Sequence, residues 1–180
     1  MLTEKVTRSW SRLQLGIVTT LLCLVTLSGA NAADISDPAP TSALAKLQNL
    51  SSRASELAFN ALGLIGIRYK MGGNTPENGL DCSGMVRYVF KQAWGASLPR
   101  TAEEISRVGE TVDSTNLQPG DLVFYNTLRR GFSHVGIYLG DNKFIHSPSA
   151  GGQVRIESME LSYWKNRFSG ARRIADPEQK

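Results

Sequence analysis

Several features that mark common functional classes are absent from this chain. Among 180 residues there are two cysteines and two histidines, with no Cys-x-x-Cys pair and no His-Glu-x-x-His motif, so the usual zinc sites are not favoured. The 20 basic and 16 acidic residues form no run of five like charges, which argues against a nucleic-acid partner. We therefore expect no cofactor, no metal ion and no nucleic acid.

The longest apolar run, residues 13–27, is too short to span a membrane, which takes about 20 apolar residues. Three basic residues precede this run, and the small residues Ala30 and Ala32 follow it at the spacing that a signal peptidase reads. This order is typical of a secretory signal peptide, which we assign to residues 1–32. We predict a periplasmic protein with no stable membrane span once this segment has been removed.

Export changes the chemistry expected of the remaining cysteine. Removal of residues 1–32 takes Cys23 away and leaves Cys82 without a partner for an intramolecular disulfide. Exported proteins usually carry paired cysteines. An unpaired thiol in such a protein is either buried and inert or retained for its reactivity.

Helices are predicted in the first half of the mature chain. From residue 43 to 65, apolar residues recur at three- and four-residue steps, as in an amphipathic helix. Residues 69–79 contain several glycines and a proline and are predicted to be a loop without a regular element. A second helix is predicted between Asp81, as its N-cap, and Gly95, which places Cys82 in its first turn.

Strands are predicted in the second half. Short β-rich runs separated by turn residues predict five strands: Asp121–Tyr125, Ser133–Leu139, Lys143–Ser147, Val154–Ser158 and Phe168–Ile174. Helices followed by an antiparallel sheet of about five strands indicate an α+β fold.

Cys82, His134 and His146 are candidates for nucleophilic catalysis. The start of a helix favours a thiolate, and a nearby imidazole would act as its base. The histidines face the same side of the sheet if the loop between their strands has three residues, 140–142, but opposite sides if it has two, Asp141-Asn142.

If the two imidazoles converge, His134 would accept the thiol proton and His146 would orient the ring of His134. Main-chain N–H groups of Cys82 or Ser83, with the hydroxyl of Tyr69, would stabilise the oxyanion. A zinc site made of the cysteine and both histidines is the chemical alternative. Arg100 would either bind a substrate carboxylate or pair with a nearby glutamate, such as Glu103 or Glu104.

Six short motifs between residues 57 and 175 resemble the NlpC-type cell-wall peptidases, a papain-like group of cysteine endopeptidases that act on peptidoglycan stem peptides. The motifs are Tyr69-x-x-Gly72-Gly73, Asp81-Cys82-Ser83-Gly84, Leu98-Pro99-Arg100-Thr101, Pro119-Gly120-Asp121-Leu122, His134-Val135-Gly136-Ile137-Tyr138 and Phe144-Ile145-His146. The resemblance implies a papain-like fold with the nucleophile at a helix start.

The resemblance also implies roles for individual residues. Cys82 would be the nucleophile, His134 the base and His146 the third, polar member. Tyr69 would line the oxyanion site, while Asp81 and Ser83 would help to bind the amino end of the substrate.

Together these observations predict a monomeric endopeptidase that cleaves an amide bond in peptidoglycan stem or cross-link peptides through a thioester. A non-catalytic peptidoglycan-binding or scaffolding module, a zinc amidase and a thiol acyltransferase are the alternative functions. The predicted organisation is a signal peptide (1–32), a flexible lead-in (33–42), the catalytic domain (43–176) and a short tail (177–180).

Overall fold

Apart from one short helix before the last strand, the helices precede the main sheet along the chain, as the sequence predicts for an α+β fold. The structure is a computed structural model that describes residues 53–129 and 131–175. The predicted signal peptide, the lead-in, the beginning of the first predicted helix and the tail lie outside the described residues.

The helices are α1, described over residues 53–62, α2 (Cys82–Trp94), α3 (Ala102–Ile105) and α4 (Ser162–Lys165). The strands are β1 (Asn74–Thr75), β2 (Gly79–Leu80), β3 (Glu110–Val112), β4 (Leu122–Tyr125), β5 (His134–Gly140), β6 (Lys143–His146), β7 (Arg155–Ser158) and β8 (Phe168–Arg173). A 3₁₀ turn at Ser114–Asn116 lies between β3 and β4.

Helix α2 begins and ends where the local sequence predicts. Asp81 is its N-cap, and Oδ1 of Asp81 accepts a 2.7 Å hydrogen bond from the main-chain nitrogen of Gly84. Gly95 closes the helix in the left-handed conformation, with φ of 64°, where glycine has no steric penalty. Cys82 is therefore the first residue of α2, as predicted.

The main sheet has six strands in the described part of the chain, in the order β3-β8-β4-β5-β6-β7, and each neighbouring pair is antiparallel. All five predicted strands are present, and the edge strand β3 is the additional one. Its three residues are too few for an alternating pattern to stand out in the sequence.

The prediction of an irregular loop over residues 69–79 is wrong in one respect. Strands β1 and β2 form a small antiparallel pair within it, with Thr75 opposite Gly79. The proline and the glycine that suggested irregular structure instead lie at the turn of this hairpin, because Pro76 follows β1 directly and Gly79, at φ of 91°, begins β2.

The hairpin β5–β6 has the two-residue turn of one predicted alternative and, further from the turn, the strand register of the other. Its turn has two residues, Asp141 and Asn142, both with positive φ, and Gly140 pairs with Lys143. A register shift between Tyr138 and Gly140 then pairs Tyr138 with Phe144. The two-residue turn thus does not separate the histidines, because this β-bulge restores the register that brings their side chains to one face.

Both faces of the sheet are covered. One apolar cluster joins α2 to the sheet through Val86, Val89, Phe90, Phe124 and Ile137, among others. The second lies on the opposite face and is formed by Val123, Tyr125, Tyr138, Phe144, Trp164 and Ala171. Alternate residues of β4 enter alternate clusters, as expected for a strand buried on both sides.

Gly84 lets the loop before β1 approach the first turn of α2. A Cβ atom at Gly84 would collide with the carbonyl oxygen of Gly73. A glycine-to-alanine change inside a helix normally stabilises it by about 0.5–1 kcal/mol. Here we expect Gly84→Ala to lower the free energy of unfolding by about 1–3 kcal/mol instead, as overpacking does.

Urea denaturation would measure this effect. Gly63→Ala is the matched control, because a Cβ there meets its nearest neighbour, Asn60 O, at an ordinary 3.5 Å. Equal stability of the two variants would contradict the proposed contact between the loop and the helix.

Candidate active site

Cys82 lies at the first turn of α2, against the beginning of β5. Burial raises the pKa of its thiol, whereas the main-chain N–H groups of Val135, Ser83 and Cys82 itself lower it. Burial has the larger effect, and the nearby Asp81 carboxylate adds to it. The expected thiolate at the helix start is thus not the resting form, because the positive helix end does not compensate for the desolvation of a charged sulfur.

His134 and His146 converge on one side of the sheet. His134 Nε2 lies 2.8 Å from His146 Nδ1, and the two rings are nearly perpendicular, at 89°. Gly136 makes room for this arrangement, because a Cβ there would contact the Phe144 ring and the His146 Cβ. The space beside Gly136 is therefore filled by neighbouring side chains.

Both imidazoles are neutral at neutral pH. Burial lowers the pKa of each to about 3, and the neighbouring imidazole of His146 lowers that of His134 further. In the described part of the chain, Cys82 and His134 make no direct hydrogen bond. Such bonds are often long without substrate and shorten in the reacting complex.

A layer of residues beyond the two histidines was not found from the sequence. Glu157 Oε2 lies 2.9 Å from His146 Nε2, and the Trp164 ring stacks on His134 with a centroid distance of 5.5 Å. Neither residue lies in the six motifs that predict the site. The pairing of strands brings Glu157 to this layer, since β7 sets Arg155 opposite His146 and Glu157 opposite Phe144; no pattern next to Glu157 in the sequence indicates it.

Asp81, Ser83 and Arg100 form one cluster beside the cysteine. Arg100 Nη2 lies 2.5 Å from Asp81 Oδ2, and Nη1 contacts Asp81 Oδ1 at 3.1 Å and Ser83 Oγ at 2.8 Å. Of the two alternatives for Arg100, the pairing of its guanidinium with Glu103 or Glu104 is wrong, because its acidic partner is Asp81. Glu103 instead pairs with Arg107, and Glu104 caps α3 together with Thr101.

The Asp81 carboxylate is fully engaged. Oδ1 accepts from Gly84 N and Oδ2 from Gly72 N, in addition to the Arg100 contacts. Burial acts to raise the pKa of this carboxyl, but the hydrogen bonds from Arg100 and Gly84 outweigh it and lower the pKa overall. These hydrogen bonds occupy both carboxylate oxygens. The Asp81 carboxylate therefore joins α2, the preceding loop and Arg100 to one another.

Tyr69 is half-buried near the same cluster. Burial raises the pKa of its phenol, and the charges of Cys82 and Asp81 raise it further. Its hydroxyl contacts Met71 Sδ at 3.6 Å. The phenol is therefore protonated at neutral pH.

Residues 53–129 and 131–175 contain no group of three or more histidine, cysteine, aspartate or glutamate side chains that could hold a metal ion. No helix within the same residues has the length and hydrophobicity needed to cross a membrane.

An α+β fold with a cysteine at the start of a helix that packs on an antiparallel sheet is the arrangement that the sequence predicted. The NlpC/P60 family pattern matches residues 66–173, and the chain belongs to this family.

This chain is similar in sequence to several bacterial proteins that are named as endopeptidases or hydrolases. The murein DD-endopeptidase MepH of Escherichia coli (strain K12) is 40% identical over 130 residues, which cover 70% of this chain and 48% of that protein. The murein DD-endopeptidase MepS/murein LD-carboxypeptidase of the same strain is 43% identical over 109 residues, covering 61% and 56%. The gamma-DL-glutamyl hydrolase of Bacillus subtilis (strain 168) is 48% identical over 111 residues, covering 61% and 27%. This chain therefore spans between about a quarter and three fifths of their lengths.

Solved structures share the fold. An NlpC/P60 family protein from Bacillus cereus superposes with a TM-score of 0.62 at 34% identity, covering 67% of this chain and 39% of that one. The NlpC/p60 domain of the peptidoglycan hydrolase SagA superposes with a TM-score of 0.59 at 28% identity, covering 67% and 98%.

Proposed function

We propose that this protein is a cysteine endopeptidase that hydrolyses an amide bond in the peptide part of peptidoglycan. The observation that carries the proposal is the placement of Cys82 at the start of α2, against the strand that presents His134, which is in turn bonded to His146. The names of related proteins, which include murein endopeptidases, support the substrate class.

In the first step, His134 accepts the proton of Cys82 as the sulfur attacks the amide carbonyl. Because the resting pair is a neutral thiol and a neutral imidazole, the proton moves during the attack and not before it. The main-chain N–H groups of Val135, Ser83 and Cys82, which favour a negative sulfur, assist that transfer. His146 holds the His134 ring in place through the 2.8 Å bond.

The tetrahedral intermediate then expels the amine, which takes its proton from His134, and leaves a thioester on Cys82. Water, activated by the same imidazole, attacks the thioester and releases the acid. Tyr69 and the main-chain N–H groups at the start of α2 are the donors that we assign to the oxyanion.

Substrate recognition is assigned to the cluster next to Cys82. Arg100 keeps a half-buried guanidinium that is paired on one side with Asp81 and Ser83 and has donors to spare for a peptide carboxylate. Asp81 and Ser83 act in this proposal through Arg100. Residues 1–32 would direct the protein to the periplasm, where peptidoglycan is found.

Digestion of purified sacculi tests the proposal. We expect the protein to release new muropeptides, each identified by mass spectrometry as the product of adding water across one amide bond. The variant Cys82→Ala should release none. The proposal is wrong if the protein yields no products, or if the alanine variant yields the same ones.

Alkylation of Cys82 tests the resting protonation state. Since burial raises the pKa of this thiol above its ordinary value of 9.0, its thiolate fraction at pH 7 is below that of a free cysteine. We expect carboxamidomethylation by iodoacetamide to be slow at pH 7 and to accelerate roughly tenfold per pH unit up to pH 9.

Mass spectrometry of the peptide that contains Cys82 would follow this reaction, with glutathione as the reference thiol. A rate that is fast at pH 6 and flat up to pH 9 would contradict the neutral resting pair.

A further inference from the structure

His146 has one ring nitrogen that faces an acidic side chain. His146 is fully buried, and its Nε2 lies 2.9 Å from Glu157 Oε2. The carboxylate oxygen lies outside ideal hydrogen-bond geometry, and this nitrogen has no other partner among the described residues.

The position of the Glu157 carboxylate is held by two other donors. Trp164 Nε1 donates to Oε2 at 2.8 Å, and Arg155 Nε donates to Oε1 at 3.1 Å. The Trp164 ring also packs edge-on against His146, with a centroid distance of 4.9 Å. The carboxylate is thus built into the same packed layer as the two imidazoles.

This carboxylate decides which nitrogen of His146 carries the proton. A bare lone pair on Nε2 would face the negative oxygen at 2.9 Å, which is repulsive, whereas an N–H group there is attracted to it. The proton of neutral His146 therefore lies on Nε2, and its Nδ1 is an acceptor.

The tautomer of His134 follows from that of His146. The 2.8 Å contact between His134 Nε2 and His146 Nδ1 needs one proton, and His146 Nδ1 has none to give. His134 must then carry its proton on Nε2. Its Nδ1 is left with a free lone pair, which is what a general base requires.

We propose that Glu157 is a positioning residue that sets the tautomers of both His146 and His134 and so keeps His134 ready to accept the proton of Cys82. This inference rests on the proposed thiol hydrolase function. Glu157 itself does not touch the reacting atoms; it acts through the two imidazoles.

The first arm of the test reads the tautomers directly. The chain contains two histidines, so a two-bond ¹H–¹⁵N correlation spectrum of the full protein shows these rings alone. At pH 7 we expect both to carry the proton on Nε2. In Glu157→Gln, which removes the charge and keeps the volume, we expect the Nδ1-protonated forms to become populated.

The second arm is kinetic, on a muropeptide that the wild-type protein cleaves. We expect Glu157→Gln to lower kcat by about 10- to 100-fold, as the loss of an orienting partner does, with KM and the melting temperature nearly unchanged. Glu160→Gln is the matched control, because Glu160 is exposed and contacts Asn142. It should leave tautomers and kcat as they are.

The outcomes separate this inference from the proposed function. A wild-type protein without hydrolytic activity would overturn the function, while the spectra would still report whether Glu157 sets the tautomers. Unchanged tautomers in Glu157→Gln would overturn the inference, and so would a shift of tautomers that leaves kcat unaffected in an active protein.

Discussion

Replacing Cys82 and His134 by alanine, singly and together, is expected to give three equally inactive proteins. Each single change should lower kcat for muropeptide hydrolysis by about 10⁵- to 10⁶-fold, and the double change should lower it no further, because a nucleophile and its base act as one unit. Initial rates of product release, measured by chromatography, would test this.

The melting temperature of each variant is the control for this experiment, because it shows whether the variant is still folded. Cys82 is half-buried, so its truncation should leave the melting temperature near the wild-type value. Losses that multiply in the double variant would contradict the assignment, since they would mean that the two side chains contribute independently.

Replacing Asp81 by alanine is expected to lower the free energy of unfolding by about 3 kcal/mol. The change removes the N-cap of α2, commonly a loss of about 1 kcal/mol, and leaves the Arg100 guanidinium without its partner, which adds to the loss in a partly buried pair. Asp81→Asn keeps an oxygen for the Gly84 N–H group and should cost about half as much.

Asp113→Ala is the matched control for this change. Asp113 precedes the 3₁₀ turn in the N-cap position but makes no side-chain capping hydrogen bond, so its loss should change stability by less than about 0.5 kcal/mol. Chemical denaturation of the three variants would measure the differences. A loss at Asp81 as small as that at Asp113 would refute the joining role of this carboxylate.

The stabilisation by Asp81 should also depend on pH. Its pKa in the folded protein is below the ordinary value of 3.8, so the charged form is favoured by folding. The stabilisation is fully present above about pH 5 and is lost as the pH falls through 3.8 toward the lower folded pKa. The stability difference between the wild type and Asp81→Asn should shrink over that range, and a constant difference would contradict it.

The parts of the fold that depend on neighbouring residues were predictable from the sequence. Asp81 and Gly95 mark the limits of α2 by local hydrogen bonding and backbone conformation, which any chain with these residues would favour. The strands with clear alternation were found for the same reason. By contrast, α3, α4 and the edge strand β3 have three or four residues each, too few for periodicity to show.

The residues of the site that lie in sequence motifs were predictable, but their partners elsewhere in the chain were not. Cys82 and the two histidines stand in recognisable segments, but the partner of Arg100 is 19 positions away at Asp81, and nothing local distinguishes it from Glu103 or Glu104. Glu157 became visible only through the pairing of β6 with β7. Its approach to His146 depends on tertiary register, which a single sequence does not encode locally.

The bulge between Tyr138 and Gly140 limits how this protein can change in length. Adding or deleting one residue between the bulge and either histidine would turn one imidazole to the far side of the sheet, even if the hairpin still formed. Insertions or deletions of two residues in this stretch, or changes at the turn beyond the bulge, keep both imidazoles on one face. We therefore expect homologous chains that retain both histidines at the site to vary in length only in these two ways.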